Sequence, residues 1–204
     1  MRRQRQRQTH KHTNTHTNTM ATFTTTRTKA IRQLFETMDE EAKSMKVRGK
    51  ETKRRFMGVG QYYWKDIPQL DAFTKTIVDA LIEEKDRDYK SALLILYEGG
   101  DSCGWHKDKK DEEFTNENVV MYNFGHRKGW NDDFQPTKET ELGYIETDLP
   151  EGTGRLGWHD LYAEEIKITH DSRIEMKAYD IRHRAKTWKR YKQFSHRINI
   201  TLRK

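Results

Sequence analysis

The chain has 204 residues, 33% of them hydrophobic and 35% charged, with a formal charge of +7. That length suits one domain with a real core and some tail, and five tryptophans, nine tyrosines and eight phenylalanines argue against a wholly disordered chain. No apolar run approaches the ~18 residues of a membrane span, and no apolar segment reads as a secretory signal. The single cysteine, Cys103, cannot form an internal disulfide, which points to a reducing, intracellular compartment, nucleus or cytoplasm. The basic balance suits a phosphate-rich partner, because cationic side chains displace condensed counterions. A lysine-rich solvated surface is the plainer account of the same charge.

Residues 1–28 are rich in Arg, Gln, Thr, His and Asn, with almost no apolar content. They are expected to form a disordered basic tail, since they bury too little surface to offset ordering entropy. The first acidic residue is Glu36, so an organelle transit peptide is one reading of this tail. A translation start at Met20 is another. His10, His12 and His16 offer metal ligands on what reads as a floppy segment.

Residues 29–90 read as N-terminal helices and a lid. Ile31, Leu34, Phe35 and Met38 fall at i, i+3, i+4 and i+7, predicting a helix over 28–46. Residues 47–65 are basic and then aromatic, with Arg48, Lys50, Lys53, Arg54 and Arg55 ahead of Tyr62, Tyr63 and Trp64. A second helix is expected after Pro68, which suits a first helical position, with Leu70, Phe73, Ile77, Val78, Leu81 and Ile82 on one face.

Residues 91–204 turn to strands. The segments 91–98, 119–124, 142–146, 165–168, 173–178 and 196–202 are short, β-favouring and separated by polar turns. Helices followed by many strands predict an α+β domain with a double-sheet β core and the helices packed on one sheet.

Two patterns carry chemistry. In Gly104-Trp105-His106-Lys107-Asp108, an extended backbone points His106 and Asp108 to the same face. An imidazole and a carboxylate supply two legs of a 2-His-1-carboxylate site, which leaves open positions on Fe(II). Such a pair alone is common on surfaces. At the C-terminus, Arg197, Asn199, Thr201 and Arg203 alternate with Ile198, Ile200 and Leu202. An antiparallel strand with one wet face is the ordinary account. Two arginines on one face also make a cradle for a dicarboxylate, because the planar guanidinium pairs bidentately with carboxylates.

H-x-D in mid-domain followed by R-x-N-x-T-x-R resembles the AlkB family of nucleic-acid dealkylases, across roughly residues 48–204. The run from Leu96 to Asp108 is similar to that family's strand, turn and iron-ligand segment, although Ile95 stands where the family usually has asparagine. The resemblance implies a double-stranded β-helix, a jelly-roll, holding Fe(II) with O2 and 2-oxoglutarate as co-substrates. It implies His106 and Asp108 as ligands, with His183 as the third by spacing. His170 is the runner-up, with His196 and His159 behind it. Tyr97, Arg197, Asn199 and Arg203 match the co-substrate residues. Residues 126–164 match poorly and read as an insertion between core strands.

The implied reaction oxidises an N-methyl group on a base, releasing formaldehyde, succinate and CO2. The implied partner is DNA or RNA as a single strand or flipped base, met by a monomer. Tyr62 or Trp64 is then expected to stack on the base, Arg55 and its basic neighbours to hold phosphate, and Asp111 with Glu112 to touch the base edge. A second basic and aromatic cluster, Arg182, Arg184, Lys186, Trp188, Lys189, Arg190, Tyr191 and Lys192, reads either as a further nucleic-acid contact or as a solvated loop. Competing readings are a 2-oxoglutarate oxygenase acting on protein or a small molecule, and a non-catalytic nucleic-acid-binding relative. A zinc hydrolase fits less well, because it does not need the two-arginine strand.

Overall fold

The computed structural model describes residues 15–47, 50–59, 68–98, 101–110, 118–126, 136–148, 162–187 and 196–204. Helix α1 spans Thr15–Glu41 and is followed by strands β1, Lys43–Val47, and β2, Lys50–Val59. The helix thus begins inside the segment expected to be a tail. Its extension is anchored by Arg27, whose Nε donates to Asp171 at 2.9 Å and whose guanidinium also meets the Leu81 carbonyl at 2.9 Å. It ends earlier than expected because residues 43–47 pair with β2. Ile31, Leu34, Phe35 and Met38 are all buried, as their spacing predicts.

Helix α2 spans Ala72–Leu81. Pro68 does not open it. Asp71 caps it instead, accepting from the Thr74 amide at 2.6 Å, while the Pro68 carbonyl accepts from the Gly58 amide at 3.0 Å. The start therefore shifts past Leu70, and Phe73 falls on the solvent side, 57% exposed. Among the described residues no helix is long and apolar enough to cross a membrane.

The remaining strands are β3 Ser91–Glu98, β4 Ser102–His106, β5 Val119–His126, β6 Glu141–Asp148, β7 Tyr162–Thr169, β8 Ser172–Met176, β9 His183–Thr187 and β10 His196–Arg203. They form a six-stranded sheet ordered β1-β2-β3-β10-β5-β8 and a four-stranded sheet ordered β4-β9-β6-β7. The pairings between these strands are antiparallel. The predicted α+β double-sheet core with helices on one sheet is what forms. Strand β6 lies between β9 and β7, so residues 141–148 belong to the small sheet and are not an insertion.

Alternation on the large sheet separates two environments. Met57, Leu94, Leu96, Ile198, Ile200 and Leu202 join the two helices in one apolar cluster. A second cluster, including Met121, Leu142, Ile145, Ile168 and Ile174, draws on both sheets. The strand β10 is central, so its polar side is buried rather than wet. Arg197 is 3% exposed, and Asn199 and Thr201 are each 6% exposed.

Candidate functional site

The small sheet sets two histidines side by side. His106 ends β4, His183 opens β9, and the two are direct antiparallel partners. Their ring centroids lie 4.3 Å apart. Asp108 follows β4, held by its amide donating to the Ala178 carbonyl at 2.9 Å. Its Oδ1 lies 3.4 Å from His106 Nε2 and 3.9 Å from His183 Nε2. The ligand atoms of all three lie within 4.8 Å of one another.

Each imidazole is oriented from behind. His106 Nδ1 lies 2.8 Å from the Gly104 carbonyl, and His183 Nδ1 lies 3.1 Å from the Ile181 carbonyl. A carbonyl only accepts, so each Nδ1 carries the proton and each Nε2 is turned to the shared point. Asp108 Oδ2 accepts from Arg203 Nη2 at 3.1 Å, which leaves Oδ1 facing the histidines. Burial pulls His106 down, yet Asp108 and Cys103 beside it hold it up at about 10. Burial and the neighbouring His106 charge lower His183. Burial works to raise Asp108, but His106, Arg203 and His183 keep it below the usual carboxylate range.

His170, the other candidate ligand, is committed elsewhere. Its Nδ1 accepts from the Gly125 amide at 3.0 Å. His196 opens β10 opposite Glu98 and His126, apart from the three-residue cluster. His159 lies outside the described residues.

The expected co-substrate residues divide between two ends. Tyr97 and Arg197 are direct partners across β3 and β10, with the guanidinium carbon 4.3 Å from the ring centroid. Arg203 stands six positions along β10, about 20 Å at ~3.3 Å per residue. The two arginines therefore cannot grip one carboxylate, and Arg203 instead braces Asp108 of the three-residue cluster. Asn199 donates to Asn123 Oδ1 at 3.1 Å and accepts from Thr201 at 2.6 Å. Asn123, on β5, was not singled out from the sequence. Its Oδ1 also accepts from Arg197 Nη1 at 3.3 Å, and its Nδ2 is buried with no partner among the described residues.

The expected nucleic-acid residues fare differently. Arg55 turns to the helix side, where it pairs with the Asp39 carboxylate and donates to the Asp39 carbonyl at 2.7 Å. Its neighbour Arg54 faces the interior instead, 5.9 Å from the Tyr97 ring centroid. Tyr62, Trp64, Asp111 and Glu112 lie outside the described residues, as do 188–192 of the second basic cluster. Arg184 and Lys186 pair with Glu146, Arg182 pairs with Asp148 at 3.2 Å, and the two arginines lie over Trp105. Much of the positive charge there is offset locally.

No protein-family model matches the sequence, and no curated protein matches it. Solved structures do match its shape. An oxidoreductase of the 2OG-Fe(II) oxygenase family from Burkholderia pseudomallei shares 11% identity over 85% of this chain and 77% of its own, at a TM-score of 0.50. The fold is that of the 2OG-Fe(II) oxygenases. OsALKBH1 shares 12% identity over 87% of this chain and 92% of its own, at a TM-score of 0.48. A prolyl-4-hydroxylase from Pseudomonas putida shares 10% identity over 89% and 87%, at 0.45. At 11% identity the likeness to the Burkholderia oxidoreductase speaks for the fold alone.

The residues present fit the iron and co-substrate of that oxygenase fold. Two neutral-capable imidazoles and one carboxylate converge, which is a donor set suited to Fe(II) with positions left open. Nearby, the buried Arg197 has an Nε without a partner and, among the described residues, no carboxylate beside it. A buried guanidinium is costly unless an anion or acceptors meet it, and a dicarboxylic acid supplies the missing charge.

Proposed function

We propose that the chain is an Fe(II)- and 2-oxoglutarate-dependent oxygenase that removes N-methyl groups from nucleic-acid bases. The convergence of His106, Asp108 and His183 beside a buried, carboxylate-free Arg197 is the observation that carries the oxygenase part. His106, Asp108 and His183 hold the metal, Arg203 orients Asp108, and backbone carbonyls fix both imidazoles. Arg197 and Tyr97 receive the distal carboxylate of 2-oxoglutarate. Fe(II) when bound supplies O2 activation, which places one oxygen atom in succinate, with loss of CO2, and one on the methyl carbon, which leaves as formaldehyde.

Nucleic acid as the substrate is supported by the +7 charge and by the basic, aromatic run over residues 47–65. The test supplies Fe(II), 2-oxoglutarate and single-stranded oligonucleotides carrying N1-methyladenine or N3-methylcytosine. Succinate and formaldehyde should appear in equal amounts, with loss of the methyl mark. Succinate formed without demethylation would reject the nucleic-acid substrate in favour of a protein or small molecule. No succinate from iron-loaded protein would reject the oxygenase reading.

A further inference from the structure

Four arginines on β2 and β10 flank the barrel, and three of their four environments are accounted for. Arg55 is paired with Asp39, and Arg203 with Asp108. Arg197 lies over Tyr97 and donates to Asn123. The fourth, Arg54, has no role in the reading above. It sits on the interior side of β2 beside Phe56, 5.6 Å from that ring centroid and 5.9 Å from the Tyr97 centroid. The β2–β3 register pairs Arg55 with Leu96 and Phe56 with Ile95, so its continuation puts Arg54 beside Tyr97. The β3–β10 register puts Arg197 on the opposite flank of the same tyrosine.

Two guanidinium groups therefore bracket one buried ring, Tyr97 being 4% exposed. Among the described residues neither is paired with a carboxylate. Asp101, the acid that follows β3, accepts from the Glu98 amide at 3.1 Å and feels the Lys53 and Arg54 charges without forming an ion pair with Arg54. Burial works against the charge of both groups, and the acids that offset it at each are the weak ones of Tyr97 and Cys103, so a carboxylate reaching both would add the stronger counter-charge.

We propose that Arg54 is a second anchor for the distal carboxylate of 2-oxoglutarate, acting with Arg197 across Tyr97 and selecting a dicarboxylic over a monocarboxylic 2-oxo acid. This rests on the oxygenase reading of the three-residue cluster. Arginine suits the role because its planar fork matches a carboxylate and stays charged when buried. A 2-oxo acid without the distal carboxylate offers these two guanidinium groups no ionic partner, which is the source of the selectivity.

The test is calorimetric binding to the full chain loaded with Mn(II), using 2-oxoglutarate and 2-oxopentanoate. The two acids share a five-carbon chain and the chelating end, and differ at the distal carboxylate. Wild type should prefer 2-oxoglutarate by well over tenfold. Arg54→Met should shrink that preference by about tenfold, the scale of one charged hydrogen bond, and leave 2-oxopentanoate affinity within about twofold. Arg54→Lys should restore part of the preference. An Arg54→Met protein that weakens both acids equally, or keeps the full preference, overturns the anchor while the oxygenase reading stands. A wild-type protein that does not distinguish the two acids overturns both.

Discussion

The histidines of this chain are separated by what meets their Nδ1 atoms. In His106 and His183 that atom faces a carbonyl, which frees Nε2 for the shared point. In His170 it accepts from the Gly125 amide, so the ring must be neutral there. Burial pushes His170 down to about 4. Unfolded, the ring titrates near 6.5, so the unfolded chain binds more protons between those values. The stability tied to this ring is therefore full above pH ~6.5 and falls as pH drops toward 4, by up to about 3 kcal/mol. Denaturant titrations at pH 7 and pH 4.5 should show this loss, and His170→Asn, which keeps an acceptor but not the titration, should flatten it. An unchanged slope in that variant would place the acid sensitivity elsewhere.

Residue identity was legible where local spacing carried it. The His106–Asp108 pair and the Arg197–Arg203 alternation were visible because each lies within one strand or turn. Asn123 was not, because its contact with Asn199 crosses from β5 to β10. Which of Arg54 and Arg55 faces the interior was not legible for a different reason. Both are basic and are followed by the apolar pair Phe56 and Met57, so no alternation shows which side faces in. The fold settles it, with Phe56 in the interior and Met57 under the helices.

At the scale of elements, apolar periodicity predicted the helices and six of the strands. Of the others, β4 was read only as an extended stretch around His106, and β1, β2 and β9 are polar: β2 begins Lys-Glu-Thr-Lys-Arg-Arg, and β9 reads His-Arg-Ala-Lys-Thr. They are strands because partners pair with them, and their own composition gives little sign of it. The helices serve as the pedestal of the large sheet. Leu34 is wholly buried against it, so Leu34→Ala should cost about 2–5 kcal/mol in denaturant unfolding. Because α1 lies on the face away from the ligands, the same variant should keep its Mn(II) affinity within about twofold. A large loss of metal binding in folded protein would mean that the helix supports the site directly.

At the scale of the molecule, the site is a seam between two sheets. Strands β4 and β9 of the small sheet bring the candidate metal ligands, and β10 of the large sheet brings Arg203 to Asp108 and Arg197 to Tyr97. Neither sheet holds the full set, which is why the chain must fold before it can bind. The small sheet was harder to read from sequence, because β4 and β9, the two strands that carry its histidines, have only five residues each. In the proposed function metal and co-substrate meet at the seam, so each should strengthen the other's binding.

That coupling is the most direct test of the account. The measurement is the affinity of the full chain for 2-oxoglutarate by calorimetry, with and without Mn(II), in wild type and His183→Ala. The account predicts binding at least about tenfold tighter with metal in wild type, and no effect of metal in a folded His183→Ala protein. Equal affinity with and without metal in wild type, or metal dependence that survives in His183→Ala, would contradict it.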